Sequence, residues 1–455
     1  MDLHVCILAA GQSKRMKSKL SKLLHPLCGK AMILHVQEAV AALSPKTQAV
    51  VVGHQRDQVM EAFSEKPVDF VVQEKQLGTA HAVSEFLSQH PSIDGILLVL
   101  SGDTPLLQPS TLRDLLIAHE KNQATVSLLT TDMLDPTGYG RVLRNVQGSI
   151  QRIVEEVDAD ATEKAVREVN AGVYVFNISG LSKLLPKVQT DNKQKEFYLP
   201  DVVSLALLEN WTVFPQKVDS DEVMGINTKV ELAESYRIMR KRINQQWMLR
   251  GVTMMDPETT YIDTEVQFGS DVVLYPNVYL EGGTLVGSET TIYPNCRITD
   301  SYIDSQCVIY ENSSIDSAHL ESGVKVGPFV RIRPDSYLQS GVRIGNFVEL
   351  KKTFVGEGTK ANHLSYLGDA TIGKNVNIGA GTITCNYDGE KKHPTVIEDE
   401  AFIGSDTQLI APVHIGKGAY VAAGSSITED VPENSLAIAR GRQVNKPGWK
   451  PKKKS

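Results

Sequence analysis

The sequence predicts an α/β chain in three parts: an α/β domain on a parallel sheet over residues 1–226, a linker helix over 227–250, and a parallel β-helix over 251–455. Three observations predict it. Short apolar runs alternate with helix-like segments in the first half. A single amphipathic stripe follows Asn227. A six-residue period then runs nearly to the C-terminus. At 455 residues the chain exceeds what one hydrophobic core usually organises, so several domains are expected.

In the first part, Val5-Cys6-Ile7-Leu8-Ala9-Ala10 is an apolar run closed by Gly11, as a buried parallel strand should be. Ala49 to Val52, Phe70 to Val72 and Ile96 to Leu100 repeat the pattern. Helix-like segments such as Ala31 to Leu43 and Thr79 to Leu87 lie between them. Strand–helix alternation places ligands beyond the carboxyl ends of the strands. The segments Gly11 to Met16 and Ser101-Gly102-Asp103 occupy such ends.

In the second part, Thr228 with Glu231 forms a capping box that opens a helix. Leu232, Tyr236, Met239, Ile243 and Trp247 follow at spacings of three and four, one apolar stripe on a charged helix. About 20 residues at 1.5 Å each make an arm of roughly 30 Å.

In the third part, Val324, Val330, Val342 and Val348 recur every sixth residue, with Ser336 as the polar exception. A period of six fits neither a helix nor an ordinary strand, but it fits a β-helix with one inward residue per edge. Glycines such as Gly327 and Gly345 are expected at corners. Counting in sixes from Val266 passes Val272, Val278, Thr284, Thr290, Cys296, Tyr302, Val308, Ser314 and Leu320, then slips to Val324. Further slips are expected to mark loops at Gly356 to Gly368 and at Cys385 to Pro394. The period resumes from Thr395 to Val431.

A net charge of −7 argues against general nucleic-acid binding. Five cysteines without a CxxC pair suit reduced thiols in a cytoplasm rather than a disulfide framework or zinc site. No apolar run reaches 18 residues, so neither a membrane span nor a signal peptide is expected.

The chemistry-bearing residues gather where the loops are expected. Ala9, Ala10 and Gly11 let a base or phosphate approach the backbone, and Arg15 and Lys22 supply two positive charges suited to a triphosphate. Asp103 follows a buried strand and is placed to hold Mg²⁺ through oxygen. As spacing alone the first loop is a weak phosphate motif, and a solvated basic loop or a capping aspartate is the plainer reading of each residue taken singly. In the second half His363 is the candidate base, because an amine attacking a thioester must lose a proton. Arg333, Lys351, Asn377 and Asn386 crowd the same coils. A lone surface histidine is more often structural, but two cations near a base suit a phosphorylated amine.

The segments LAAGQSKRM, SKLLH, QLGTAHA, SGDTPL, DPTGYGR, IVEE, EVNAG and GIN resemble the sugar-phosphate nucleotidyltransferases, whose catalytic domain is Rossmann-like. The six-residue repeat resembles the left-handed hexapeptide β-helix of acyltransferases. Together with NHLSYLGD at 362–369 and NIGAGTITCNYDG at 377–389, the chain is most similar to the bifunctional bacterial N-acetylglucosamine-1-phosphate uridyltransferase/glucosamine-1-phosphate acetyltransferases. That resemblance implies acetyl transfer from acetyl-CoA to glucosamine-1-phosphate, then uridylyl transfer from UTP to N-acetylglucosamine-1-phosphate, releasing pyrophosphate. The product supplies peptidoglycan and lipopolysaccharide precursors. It further implies Leu8, Ala9, Ala10, Gly11, Gln73, Gly78 and Thr79 on uracil and ribose, with Ser101, Gly102 and Asp103 at the nucleotide. Arg15 and Lys22 would meet phosphates, Gly140, Glu155 and Asn170 the amino sugar, and Asp103 and Asn227 the Mg²⁺. His363 would be the base, Arg333, Lys351, Tyr366 and Asn377 the sugar-phosphate contacts, and Ala380, Asn386, Tyr387, Ser405, Ala423 and Arg440 the acetyl-CoA contacts. A homotrimer is implied too. Ser13-Lys14, Ser21, Ser101 and Asn362 depart from the family pattern without removing a charged group. Lys450, Lys452, Lys453 and Lys454 are expected to be a solvated tail.

Two rival readings stand beside this one. A nucleotidyltransferase could carry its β-helix only for assembly, which His363 argues against. A non-enzymatic scaffold with the same folds has no use for Arg15, Lys22 and Asp103 together.

Overall fold

The computed structural model describes residues 1–11, 14–64 and 66–450. Ser13 and the tail lysines Lys452, Lys453 and Lys454 lie outside the described residues. The chain divides into two compact units, Met1–Met239 and Arg240–Ser455.

The first unit is a nine-stranded sheet between helices. Its strands are β1 (Leu3–Ala9), β2 (Thr47–Val52), β3 (Asp69–Val72), β4 (Ile96–Ser101), β5 (Val126–Asp132), β6 (Arg141–Arg144), β7 (Ile150–Val154), β8 (Glu168–Asn177) and β9 (Val213–Lys217). The spatial order is β9-β5-β8-β4-β1-β2-β3, with β6 hydrogen-bonded to β8 and β7. Strands β4, β1, β2 and β3 are mutually parallel, as the apolar runs predict. The sheet is nevertheless mixed, because β8 runs antiparallel to both β4 and β5. Its apolar segment VYVF is buried on both faces, and such a run carries no record of direction.

Strand β1 is buried on both sides because its side chains alternate between two layers. Val5, Ile7 and Ala9 join one core with Ile33 and Val36 of α1 (Met32–Ala41) and Leu112 and Leu115 of α2 (Pro109–Lys121). Cys6 and Ala10 join the other, with Val83 and Phe86 of α3 (Thr79–Gln89). Each fully buried Val, Leu or Ile contributes about 1.5–3 kcal/mol of transfer free energy, which holds the central strands rigidly beneath the loops at their ends. The chain leaves β1 for β2 and β3 on one side and returns to β4 on the other, so a crevice opens at the carboxyl ends of β1 and β4.

The helix over Lys229–Leu249 opens with the predicted capping box. Glu231 N–H donates to Thr228 Oγ1 at 3.2 Å, and Thr228 N–H donates to Glu231 Oε2 at 2.7 Å. Leu232, Tyr236 and Met239 pack with Ile238 on Leu27, Met32 and Leu106 of the first unit. Within the second unit, Ile243 is buried and Trp247 meets Phe268 edge-on at 4.9 Å.

The second unit is a parallel β-helix of three sheets with 11, 10 and 9 strands. Most coils set one strand on each face and pair with the next coil at 17 or 18 residues, as in Val273↔Thr291 and Thr291↔Val308. The inward corner residues are Val266, Val272, Val278, Thr284, Thr290 and Cys296, then Ser301, Cys307, Ser313, Ala318 and Val324. Counting strictly in sixes therefore fails after Cys296. Two five-residue edges replace the single expected slip, and Tyr302 points outward at 43% exposure. The expected loop at Gly356 to Gly368 is also ordinary coil, with strands Lys360–His363 and Tyr366–Gly368 in 17-residue register. Of the two expected loops only the second is inserted: it follows Cys385, which still pairs with Ile410, and lengthens the Asn377↔Phe402 step to 25 residues.

Gly327 meets the corner expectation with a φ of +105°, and Gly323 and Gly341 do the same at +71° and +69°. Many corners with positive φ carry Asn or Asp, such as Asn277, Asn295, Asn312, Asp335 and Asp369, whose short polar side chains tolerate the left-handed region. Gly345 instead allows close approach between coils, since a Cβ there would lie 2.2 Å from the Asn362 carbonyl oxygen.

Candidate active sites

At the crevice of the first unit lies a cavity of about 660 Å³. Leu8, Ala9, Ala10, Gly11, Lys22, Gln73, Gly78, Thr79, Ser101, Glu155 and Asn170 all line it, so eleven of the residues expected there share one space. Gly78 is required by its backbone: φ is +112°, and a Cβ would meet the Phe197 carbonyl oxygen at 2.4 Å. Gln73 donates to Gly78 O at 3.1 Å and shares a 2.9 Å hydrogen bond with His81 Nδ1. His81 thus braces Gln73 from the first turns of α3. Thr79 Oγ1 accepts from Leu199 N–H at 3.0 Å.

Of the remaining expected residues, Gly102 and Gly140 support this space, while Arg15 lies outside its lining. Gly102 N–H donates to Leu8 O at 2.9 Å, tying the β4 loop to β1. Asn170 N–H donates to Gly140 O at 2.8 Å, and Gly140 leaves room for Glu155, whose Oε1 would lie 3.3 Å from an added Cβ. Arg15 is exposed on a short 3₁₀ turn, Lys14–Met16, near Gly138.

Asp103 and Asn227 meet at the Lys22 ammonium, and Ser101 braces Asp103. The ammonium forms a short ion pair with Asp103 Oδ2 and a 2.9 Å hydrogen bond to Asn227 Oδ1. Ser101 Oγ donates to the other Asp103 oxygen at 2.6 Å. Burial pushes the Asp103 carboxyl up, but Lys22 and Ser101 outweigh it and hold the group below the usual carboxylate range. Two hard oxygens from Asp103 and Asn227 already hold one cation, which is the donor chemistry Mg²⁺ requires.

The far end of the cavity is acidic. Burial, then Asp201, Asp158 and Glu196, push Glu155 up to about 7. Tyr174 and Glu196 also line this end, and the buried Tyr174 hydroxyl finds no hydrogen-bond partner among the described residues. Sequence reasoning missed both. The only signals were the YVF of β8 and the EFYLP that precedes the following helix.

The second unit gathers a different set. Arg333, Lys351, Tyr366 and Asn386 lie along one face, where Glu349 pairs with Tyr366 and Lys351 with Gly368 across adjacent strands. Arg333 Nη1 meets Glu349 Oε1 at 2.9 Å, and Lys351 Nζ lies 3.9 Å from Asp369 Oδ2. Asn386 Nδ2 donates to Asp369 Oδ2 at 2.6 Å and approaches Tyr366 Oη at 3.5 Å. Lys392, which sequence reasoning missed, stands beside Lys351. It lowers the Lys351 ammonium pKa, with burial acting the same way and Asp369 opposing. Its position follows from the inserted segment, where Tyr387 bridges back to Lys392. The signal available was the Lys391-Lys392 pair inside that insertion. Tyr387 itself is exposed and donates to Gly389 O at 2.5 Å.

His363 ends the strand Lys360–His363 on the adjoining face, and Asn377 belongs to that same sheet. The imidazole is exposed. The corner beside it continues coil by coil: Gly381 N–H donates to Leu364 O, Asp406 N–H to Ala380 O, and Gly424 N–H to Ser405 O. Arg440 closes this edge by donating to Ala423 O at 2.6 Å. Ala380, Ser405, Ala423 and Arg440 therefore form one line beginning near His363.

The described residues contain no helix long and apolar enough to cross a membrane. The sequence model of the MobA-like NTP transferase domain matches residues 5–170, and that of the bacterial transferase hexapeptide (six repeats) matches 394–429. The Bifunctional protein GlmU of Thermoanaerobacter pseudethanolicus is 48% identical over 447 residues, covering 98% of this chain and 97% of the relative. The protein of the same name from Exiguobacterium sibiricum is 47% identical, covering 99% and 100%. That of Shouchella clausii is 46% identical over 97% of each. With both domain types in one chain and near-complete coverage of such relatives, the chain belongs to the bifunctional GlmU family.

Proposed function

We propose that this chain makes UDP-N-acetylglucosamine with two separate sites. It is a bifunctional transferase: the second unit moves acetyl from acetyl-CoA to glucosamine-1-phosphate, and the first moves uridylyl from UTP to N-acetylglucosamine-1-phosphate. The product serves peptidoglycan and lipopolysaccharide synthesis in the cytoplasm.

In the first unit, the wall from Leu8 to Gly11 with Gln73, Gly78 and Thr79 takes uracil and ribose. Gly140, Glu155 and Asn170 take the sugar. A sugar-phosphate oxygen attacks the α-phosphorus in line and pyrophosphate leaves, so the protein's task is positioning and charge neutralisation. Arg15 and Lys22 meet the phosphates. Asp103 and Asn227 would hold Mg²⁺, which when bound supplies further charge neutralisation for the triphosphate.

In the second unit, Arg333, Lys351 and Lys392 receive the phosphate of the amino sugar. The amine attacks the thioester carbonyl, His363 takes its proton, and the CoA thiol leaves. The Ala380–Ser405–Ala423 line suits an extended ligand: two coil steps at about 4.8 Å span roughly 10 Å. The exposed His363, Ser405 and Ala423 leave the site open for completion by a second copy in a homotrimer.

The observation that carries the two-site reading is the three-cation face beside His363, for which a purely structural β-helix has no use. The test runs pyrophosphate release and thiol release side by side. Glucosamine-1-phosphate alone should release thiol from acetyl-CoA, and N-acetylglucosamine-1-phosphate alone should support rapid pyrophosphate release from UTP. His363→Ala should lose thiol release by at least about 10²-fold with pyrophosphate release intact. Pyrophosphate release without thiol release from any amino sugar phosphate would reduce the β-helix to a scaffold.

A further inference from the structure

The Lys22 ammonium sits where a metal ion bound by Asp103 and Asn227 would sit. It touches one oxygen of each, Asp103 Oδ2 by a short ion pair and Asn227 Oδ1 at 2.9 Å. Neither partner is free to turn away. Asp103 Oδ1 is held by the Ser101 hydroxyl at 2.6 Å. Asn227 Nδ2 reaches Gly225 O at 3.4 Å, which aims its carbonyl oxygen at Lys22, while its N–H donates to Glu231 Oε2 at 2.6 Å. Side-chain exposures of 15% for Lys22 and 14% for Asp103 leave little water to compensate if the ammonium departs. An unpaired carboxylate that deeply buried is costly, so departure of the ammonium favours a replacement cation at the same position.

We propose that Lys22 and the divalent cation exchange at this position. In the metal-free enzyme Lys22 is the resident cation. When metal binds, the ammonium is displaced from Asp103 and Asn227 and becomes available to the nucleotide phosphates. Metal binding thereby arms a phosphate-binding lysine, and free metal alone is held weakly because it must first displace an internal competitor. Ser101 is a positioning residue here: it fixes Asp103 so that the exchange is confined to Oδ2. This rests on the assignment of Asp103 and Asn227 as metal ligands.

The test is Mn²⁺ binding to the full-length protein without nucleotide, followed by electron paramagnetic resonance or calorimetry. Lys22→Met keeps most of the stem and removes the competitor, so Mn²⁺ should bind at least tenfold more tightly than to the unaltered chain. Arg15→Gln removes a positive charge from the same site without touching Asp103, and should change affinity less than about threefold. Mn²⁺ should also raise the unfolding temperature of Lys22→Met more than that of the unaltered protein, an effect a merely structural lysine would not produce. Equal or weaker binding by Lys22→Met overturns the exchange, as does an equal gain in Arg15→Gln, which would mean a general field effect. Asp103→Asn separates the two levels. If it binds Mn²⁺ as well as the unaltered protein does, the metal-site assignment fails. If it loses binding while Lys22→Met gains none, only the exchange fails.

Discussion

Glu155 shows how the position of one side chain turns into a pH dependence. Its carboxyl is raised to about 7 by burial and by Asp201, Asp158 and Glu196. The folded protein therefore holds a proton that the unfolded chain, with a carboxyl near 4.5, has released. Between those two values stability must fall as pH rises, because the native state binds more protons. In the ligand-free protein, Glu155→Gln should leave stability unchanged near pH 4 and increase it at pH 8 by up to about 3 kcal/mol. Chemical denaturation across that range checks it, and parallel curves for the two proteins would show the carboxylate to be adequately solvated. At the same scale Gly345→Ala should destabilise the β-helix by about 1–3 kcal/mol, since the new methyl meets backbone rather than a movable side chain. Residues with a motif around them were legible in the sequence: eleven of the expected set line one cavity. Tyr174, Glu196 and Lys392 were not, because each is brought to its site by a neighbouring strand or an insertion rather than by its own flanking residues.

Among the elements, the helix over Lys229–Leu249 ties local capping to the first site. Glu231 Oε2 accepts from both Thr228 N–H and Asn227 N–H. The cap therefore also fixes the backbone of a metal-ligand candidate. Thr228→Ala should cost about 1 kcal/mol, the usual worth of a side-chain cap. Glu231→Ala should raise the Mg²⁺ concentration needed for half-maximal pyrophosphate release several-fold, with thiol release unchanged. An unaltered Mg²⁺ dependence would mean that Asn227 keeps its place without the cap. The element-level readings failed where the governing quantity leaves no pattern in side chains. Strand β8 is as apolar as its parallel neighbours, so its reversed direction was hidden. The five-residue edges were hidden because Val308 and Leu320 kept the six-step count apolar: Val308 follows the inward Cys307, and Leu320 is itself buried two residues past the corner residue Ala318.

For the whole molecule, the division into Met1–Met239 and Arg240–Ser455 separates the two candidate sites, a cavity in the first unit and a cationic face in the second, as well as the two folds. Calorimetry should show two unfolding transitions. UTP with Mg²⁺ should raise one and acetyl-CoA the other, each by mass action on the unit that binds it. A single transition raised by either ligand would show that the units unfold as one. The two folds were legible at this scale from periodicity alone, because alternating buried strands and a six-residue repeat impose different spacings on the same apolar alphabet. The match of both domain types and of near-full-length relatives agrees with that division of labour.

The insertion that follows Cys385 leaves the stack undisturbed. Ala370 still pairs with Thr395 across it, and Thr395 with Val413 in the next coil. A solenoid coil can therefore gain a hairpin at one corner while the rungs above and below keep their alignment. Here that appendage carries Asn386, Tyr387 and Lys392 to the second site. On the proposed reading, part of the ligand-binding set is thus mounted on a detachable part, and rewriting it need not alter the beam that supports it.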